Sequence, residues 1–123
     1  MIDVVGHIVA RGNALGGGIT FWRNRLPARF ENTAPIVVVS ADIDAIHCSG
    51  ADHDVMVSFR IYGGTAKTGD CASVYGDVCN LWNGYNDEVI ATIGELRGQE
   101  LPPDPVTGWP SYLLRARCRV KER

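Results

Sequence analysis

The chain has 123 residues, of which 46% are hydrophobic and 21% are charged, a composition that is typical of a globular protein and excludes a disordered one. We take residues 1–123 as a single domain, and no apolar run approaches the ~20 residues that a membrane span needs. The net charge of −2 is uneven, because residues 115–123 hold five cations and one carboxylate (+4), which leaves −6 on the rest. This asymmetry predicts complementary contacts between copies or with a polyanion.

The N-terminal stretch predicts a short amphipathic helix over residues 2–11, with Ile2, Val5 and Val9 on one stripe. We expect Gly12-Asn13 and the triple glycine that follows to end this helix, because glycine disfavours a continued helix. The acidic start of the chain lacks a basic segment and an apolar core, so we expect no signal peptide.

Two strands are predicted next. Residues Ile19 to Leu26 form the first, which Pro27 ends. The run Pro35 to Ser40 is continuously apolar and β-branched, which predicts a central strand covered on both faces and extending toward Ile46.

The most regular alternation in the chain lies at residues 55–62 and predicts a half-buried strand. One face is wholly apolar and the other is mixed. The apolar face holds Val55, Val57, Phe59 and Ile61, and the mixed face holds Met56, Ser58, Arg60 and Tyr62. A turn at Ser49-Gly50-Ala51 predicts that this strand and the preceding one form an antiparallel hairpin.

A helix is predicted from Asp70 to Trp82, because Val74, Val78 and Leu81 recur at helical spacing. Asn83-Gly84 is expected to end it. This helix is long enough to cover one face of a small sheet.

A fourth strand is predicted over Val89 to Leu96, with Ile93 and Glu95 on the same face as Val89. The proline-rich segment Gly98 to Gly108 follows, and we expect a structureless loop there.

The last strand is predicted over Tyr112 to Val120, where apolar residues alternate with cations. One face holds Tyr112, Leu114, Ala116, Cys118 and Val120, and the other holds Leu113 with the candidate contact residues Arg115, Arg117, Arg119 and Lys121. Alternate residues of a strand lie ~6.6 Å apart, so the cations are expected to form a row and not a pocket. Such a row is a solvated face, a contact with the acidic body of a neighbouring subunit, which we favour, or a contact with DNA.

The elements together predict an α+β domain, with a mostly antiparallel sheet of four to five strands and two helices packed on it.

A group of potential ligands surrounds the predicted hairpin turn. It consists of Asp42, Asp44, His47, Cys48, Asp52, His53 and Asp54. We interpret these as turn residues, since turns are rich in Asp and no spacing matches a metal motif. A bound metal and a cysteine–histidine nucleophile built on Cys48 are the alternatives.

The four cysteines, Cys48, Cys71, Cys79 and Cys118, include no Cys-x-x-Cys pair. We expect free thiols in a reducing compartment, with Cys71, Cys79 and Cys118 on buried faces.

The order of these parts resembles that of tail terminator, or tail-completion, proteins of long-tailed phages and of phage-derived gene transfer agents. An N-terminal helix is followed by a strand that ends in Leu26-Pro27 and by a proline-led apolar strand, Pro35 to Ser40. An alternating strand then leads into a helix, Val55 to Trp82, and a final strand closes the chain. The resemblance spans nearly the whole chain and is most specific at residues 53–82 and 109–120.

The resemblance implies a structural protein, with no catalytic residues, cofactor or metal, that forms a homo-oligomeric ring, commonly a hexamer. Such a ring caps the growing tail tube and joins the tail to the head, so its implied partners are the tail tube protein and the head–tail connector, or stopper, protein. DNA passes through such a ring. The implied location is the tail–head interface of a virion or virus-like particle, assembled in the cytoplasm of a bacterial host, without a membrane. A head-side stopper or adaptor and, in another class, a small metal-binding enzyme that uses the Asp42–Asp54 group are the alternatives.

Overall fold

The computed structural model describes residues 3–15, 18–24, 35–49, 52–62, 68–102 and 110–121, with the backbone alone at 42–49, 52–53 and 68–70. The elements in chain order are α1 (Val4–Leu15), β1 (Thr20–Arg23), β2 (Ile36–Ser49), β3 (Asp52–Tyr62), α2 (Thr68–Trp82), β4 (Ile90–Leu101) and β5 (Ser111–Lys121). The predicted α+β fold with two helices is therefore confirmed. Neither helix is long and apolar enough to cross a membrane.

The five strands form one sheet in the order β1-β2-β3-β5-β4, so the most regular strand of the sequence, β3, lies at its centre. β1 and β2 are parallel, whereas the other three neighbouring pairs are antiparallel. The predicted β2–β3 hairpin is confirmed by its register, in which Val39 lies opposite Phe59 and Ser40 opposite Ser58.

Both helices cover the same face of the sheet. α1 lies against β1 and β2, and α2 lies against β3, β4 and β5. Trp82 fills the space between them, with its ring 5.8 Å from that of Phe59, 6.0 Å from that of Phe21 and 4.9 Å from that of Tyr85. Close packing of large aromatic side chains makes this the centre of the core.

The predicted faces of β3 are confirmed. Val55, Val57, Phe59 and Ile61 are all buried under the helices. On the opposite face Met56, Ser58 and Arg60 are half-buried. Tyr62 is also buried there, because it packs against Ile36 and Val38 of β2. The burial of consecutive residues from Ile36 to Val39 confirms that β2 is covered on both faces.

The expected end of the first helix at Gly12-Asn13 was wrong, since α1 continues through both residues to Leu15, which directly precedes the triple glycine. Gly12 faces the sheet, and a Cβ there would lie 2.6 Å from the ring of Phe21. The Asn13 side chain accepts a bond from Phe21 N (2.8 Å) and donates to Phe21 O (3.2 Å). Both residues therefore pack α1 onto β1, and Ile2 lies outside the described residues.

The expected faces of the fourth strand were also wrong. Ile90 and Ile93 are both buried, because the pairing of β4 with β5 shifts register at Ala91. A second shift follows Gly94, where Glu95 has a positive φ of 54° and is exposed. Each shift adds a residue to β4 and breaks the period of two.

β4 is longer than expected and ends at Leu101, so the first residues of the predicted Gly98–Gly108 loop belong to the sheet. Gly98 lies under the ring of Tyr75 from α2, whose Oη would be 1.7 Å from a Cβ at this position. Glycine therefore permits the close approach of helix and strand. Residues 103–109 lie outside the described part of the chain.

Three of the cysteines have described side chains and are free thiols, as expected. Cys71 and Cys118 are buried, and Cys79 is half-buried. Burial raises the pKa of the Cys118 thiol to about 12. Cys48 has no described side chain.

Candidate functional site

The cations of β5 lie on the face of the sheet that the helices leave uncovered, which we call the open sheet face. Leu114, Ala116, Cys118 and Val120 are buried toward the helices, whereas Arg115, Arg117, Arg119 and Lys121 are exposed. The predicted alternation of β5 is therefore confirmed, and its role in binding stays a prediction.

Two of these cations form ion pairs with carboxylates of the same chain. Arg119 donates from Nε and Nη2 to the two carboxylate oxygens of Asp54, at 2.9 and 3.3 Å. Arg117 Nε lies 3.3 Å from Glu95 Oε2. Lys121 donates from Nζ to the backbone oxygen of Asp87 at 2.8 Å. The expected continuous row of charge is thus divided, and Arg115 is the member that makes no such bond within the described residues.

Arg115 has a neighbour that the sequence analysis did not identify. Arg97 of β4 lies directly opposite Arg115, and opposite residues of an antiparallel pair share a face. The two arginines, with Gly98, Gln99 and Leu113, line a cavity of ≈ 200 Å³. We call this site the arginine cleft. The sequence placed the end of β4 at Leu96, before Arg97, because the register shifts hide the continuation of the strand.

Like charges directly opposite each other on a sheet are destabilising unless a counter-charge lies between them. Within the described part of the chain, no carboxylate forms an ion pair with Arg97 or Arg115. The arginine cleft is therefore chemically suited to an oxyanion, since two guanidinium groups can both donate to one carboxylate or phosphate.

The hairpin register determines which of the potential ligand residues at the β2–β3 turn lie opposite one another. His47 lies opposite Asp54, Cys48 opposite His53, and Ser49 opposite Asp52. The pairing of Cys48 with His53 across the hairpin depends on this register, and the side chains of both residues lie outside the described part of the structure. Asp54 alone has a described side chain, and Arg119 already binds it. Asp42 and Asp44 lie on the same hairpin, with the backbone alone described.

A second polar group, which the sequence did not predict, joins α1 to the segment between α2 and β4. Asp87 Oδ2 lies 2.7 Å from His7 Nε2 and accepts a 2.7 Å bond from Tyr85 Oη. Asp87 Oδ1 accepts bonds from the backbone N–H groups of Val89 and Ile90, both at 2.8 Å. His7 and Asp87 are 80 residues apart, so no local pattern reports their contact.

Hydrogen bonding controls the charge of this group. Burial alone would raise the pKa of Asp87, but the bonds from Tyr85, Ile90, His7 and Val89 together hold that pKa well below its usual range. Burial, and then the bond to Asp87, raises the pKa of Tyr85 to about 12. Asp87 is therefore a carboxylate and Tyr85 a neutral phenol at neutral pH.

The same group offers potential metal ligands, because ligand atoms of His7, Asp87 and Glu88 lie within 4.8 Å of one another. Arg11 forms an ion pair with Glu88 and lies 3.7 Å from Asp87 Oδ2. A metal ion would have to displace this guanidinium and compete with the donors around Asp87. The geometry thus favours a structural tie of α1 over a metal centre.

A groove of ≈ 650 Å³ lies on the helix-covered side, between the two helices. Leu15, Ile19, Pro35, Val74 and Leu81 make it mainly apolar, and Asp77 and Asn80 supply its polar groups. Asp77 is exposed and forms no hydrogen bond or ion pair within the described part of the chain.

No known protein family and no curated protein matches this chain. Among the described side chains, exposed cations lie on the open sheet face and an apolar groove lies on the helix-covered side. His7, the histidine whose side chain is described, is not bonded to any serine, threonine or cysteine of the described part.

Proposed function

We propose that this chain is a tail terminator subunit of a phage or of a gene transfer agent, which forms a hexameric ring at the head-proximal end of the tail tube. In this role it caps the tube and supplies the surface to which the head connector binds. It acts by assembly and not by catalysis.

The order of elements supports the proposal. The resemblance rests on a helix, a strand, a proline-led strand, an alternating strand, a helix and a closing strand. These correspond in order to α1, β1, β2, β3, α2 and β5. β4 is an additional strand at the edge of the sheet.

The observation that carries the proposal is the two-sided sheet. One side is covered by both helices, whereas the open sheet face carries the exposed cations of β5 and the arginine cleft. A ring subunit needs two different surfaces that complement each other, because head-to-tail contacts close into a ring. This chain has an acidic body and a basic last strand, which is a charge distribution suited to such contacts.

Deletion of the gene from the source particle tests the proposal. We expect tails of uncontrolled length without attached heads, and restoration of joined particles when purified protein is added to the deletion extract. Joined particles with tails of normal length in the deletion strain would contradict the proposal.

A further inference from the structure

Most charged side chains of the described residues form a hydrogen bond or an ion pair, and the exceptions fall into two sets of opposite sign. With other described residues, Arg97 and Arg115 form no hydrogen bond or ion pair, and neither do the exposed carboxylates Asp77 and Glu100. Two cations and two anions therefore lack a partner within the described part of the chain.

The two sets lie on different sides of the molecule and cannot neutralise each other within one copy. Arg97 and Arg115 lie on the open sheet face. Asp77 lies on the outer surface of α2, on the helix-covered side. Glu100 lies opposite Tyr112, whose ring lies 4.9 Å from that of Tyr75 of α2, so Glu100 also lies toward the helix side but at the edge of the sheet.

The surface around Asp77 permits close approach of another protein. Ser73, Asp77 and Asn80 are exposed at helical spacing on one face of α2, and all three side chains are short. Asp77 and Asn80 also border the apolar groove between the helices. A carboxylate beside an apolar groove matches the arginine cleft, in which Leu113 lies beside the two arginines.

We propose that the arginine cleft of one copy receives the Asp77 carboxylate of the next copy, so that the open sheet face of each subunit packs on the helix side of its neighbour. This inference rests on the proposed ring and names its contact. The incoming carboxylate accepts hydrogen bonds from both guanidinium groups and relieves their mutual repulsion. Because the two surfaces are different, the contact is head-to-tail, which is the kind of contact that generates a ring when its rotation closes.

A carboxylate fits this face better than the phosphates of DNA. Arg119 and Arg117 are already neutralised by Asp54 and Glu95, whose carboxylates would repel a polyanion that followed the strand. A contact confined to two arginines suits a single carboxylate, whereas DNA binding draws on many cations at once.

Two charge-reversed variants test the contact, with assembly measured by sedimentation. R97E/R115E places two carboxylates opposite Asp77, and D77K places a lysine opposite the two arginines. We expect each variant alone to stay folded by circular dichroism and to assemble about tenfold or more weakly than wild type. In an equimolar mixture, alternating subunits restore an attractive pair at every interface, so we expect assembly to return.

Arg115→Gln and Arg117→Gln form a matched pair, since each removes one charge from the same face of β5. We expect weaker assembly for Arg115→Gln. We expect little change for Arg117→Gln, because Arg117 already forms an ion pair with Glu95 of the same chain.

The outcomes separate this contact from the ring itself. If R97E/R115E assembles like wild type, or if the mixture fails although both variants are folded, the contact is wrong while the ring stands. Loss of duplex DNA binding with normal assembly in R97E/R115E would assign the arginine cleft to phosphate instead. A wild-type protein that remains monomeric would overturn both the ring and the contact.

Discussion

Two glycines within helices differ in how closely other atoms surround them. At the scale of single residues, they show how packing against a neighbour can outweigh the helix propensity of a residue. Gly12 of α1 lies against the ring of Phe21, whereas a Cβ at Gly76 of α2 would meet no atom within 4 Å. Alanine favours a helix over glycine by roughly 0.5–1 kcal/mol at either position.

We therefore expect Gly76→Ala to raise the free energy of unfolding and Gly12→Ala to lower it. The second change forces a methyl group into the Phe21 ring, and overpacking of this kind costs about 1–3 kcal/mol. Urea unfolding of both variants measures the difference, and equal gains in stability would contradict the packing of α1 on β1.

The bonds around Asp87 predict a dependence of stability on pH. The pKa of Asp87 is lowered in the folded protein, so its contribution is present above the ordinary aspartate pKa of about 4 and is lost as the pH falls. The pKa of Tyr85 is raised to about 12, so its contribution is present below the unfolded pKa of about 10 and is lost as the pH rises toward 12.

Thermal unfolding across these two ranges tests this expectation. In a plot of the unfolding temperature against pH, Asp87→Asn should reduce the loss of stability at acid pH. Tyr85→Phe should reduce the loss of stability at alkaline pH. If both variants kept the wild-type profile, the tie between α1 and the α2–β4 segment would not control stability.

The residues at the hairpin turn also carry a prediction. We expect alanine replacements at His47, Cys48 and His53 to leave assembly intact, because we interpret them as turn residues. Metal analysis of the purified protein and sedimentation of the triple variant measure this. Stoichiometric zinc or iron, or loss of assembly in the variant, would favour the metal or cysteine–histidine alternative.

Among the elements, β3 and β5 were predicted almost completely, because both follow an uninterrupted period of two. The pairing of β3 with β5 keeps one register along its whole length, so the sequence pattern and the buried face agree in both strands. In β4 the extra residues at Ala91 and near Glu95 break that period, and the alternation assigned Glu95 to the wrong face.

The candidate site was predicted only in part for the same reason. The exposed cations of β5 follow from alternation, whereas the position of Arg97 beside Arg115 depends on two register shifts in another strand. The pairing of Arg117 with Glu95 depends on the same shifts. The tie between His7 and Asp87 brings distant parts of the chain together, which a single sequence does not report.

The central position of β3 predicts a large difference between its two faces. Phe59 is fully buried and stacks on Trp82, so Phe59→Ala should cost roughly 3–5 kcal/mol. Ser58 is half-buried on the open sheet face, and Ser58→Ala should change stability by about 0.5 kcal/mol or less. Denaturant unfolding compares the two variants, and similar losses would mean that both faces of β3 are equally buried.

At the scale of the whole molecule, the proposed assembly depends more on the difference between the two sides of the sheet than on any single side chain. Among the described residues, the helix side offers an apolar groove with a carboxylate that has no ion-pair partner, and the open sheet face offers two arginines that have none. The proposed ring would use both surfaces of every subunit, so each copy should satisfy the charges that one chain leaves without a partner in the described residues.

The mass of the wild-type protein in solution tests the ring most directly. A single chain has a mass of 13.4 kDa, and sedimentation equilibrium over a range of concentrations should give a species of six times that mass. Electron micrographs of the same sample should show rings with a central opening. A mass that stays at 13.4 kDa at every concentration, with no rings in the micrographs, would contradict the account.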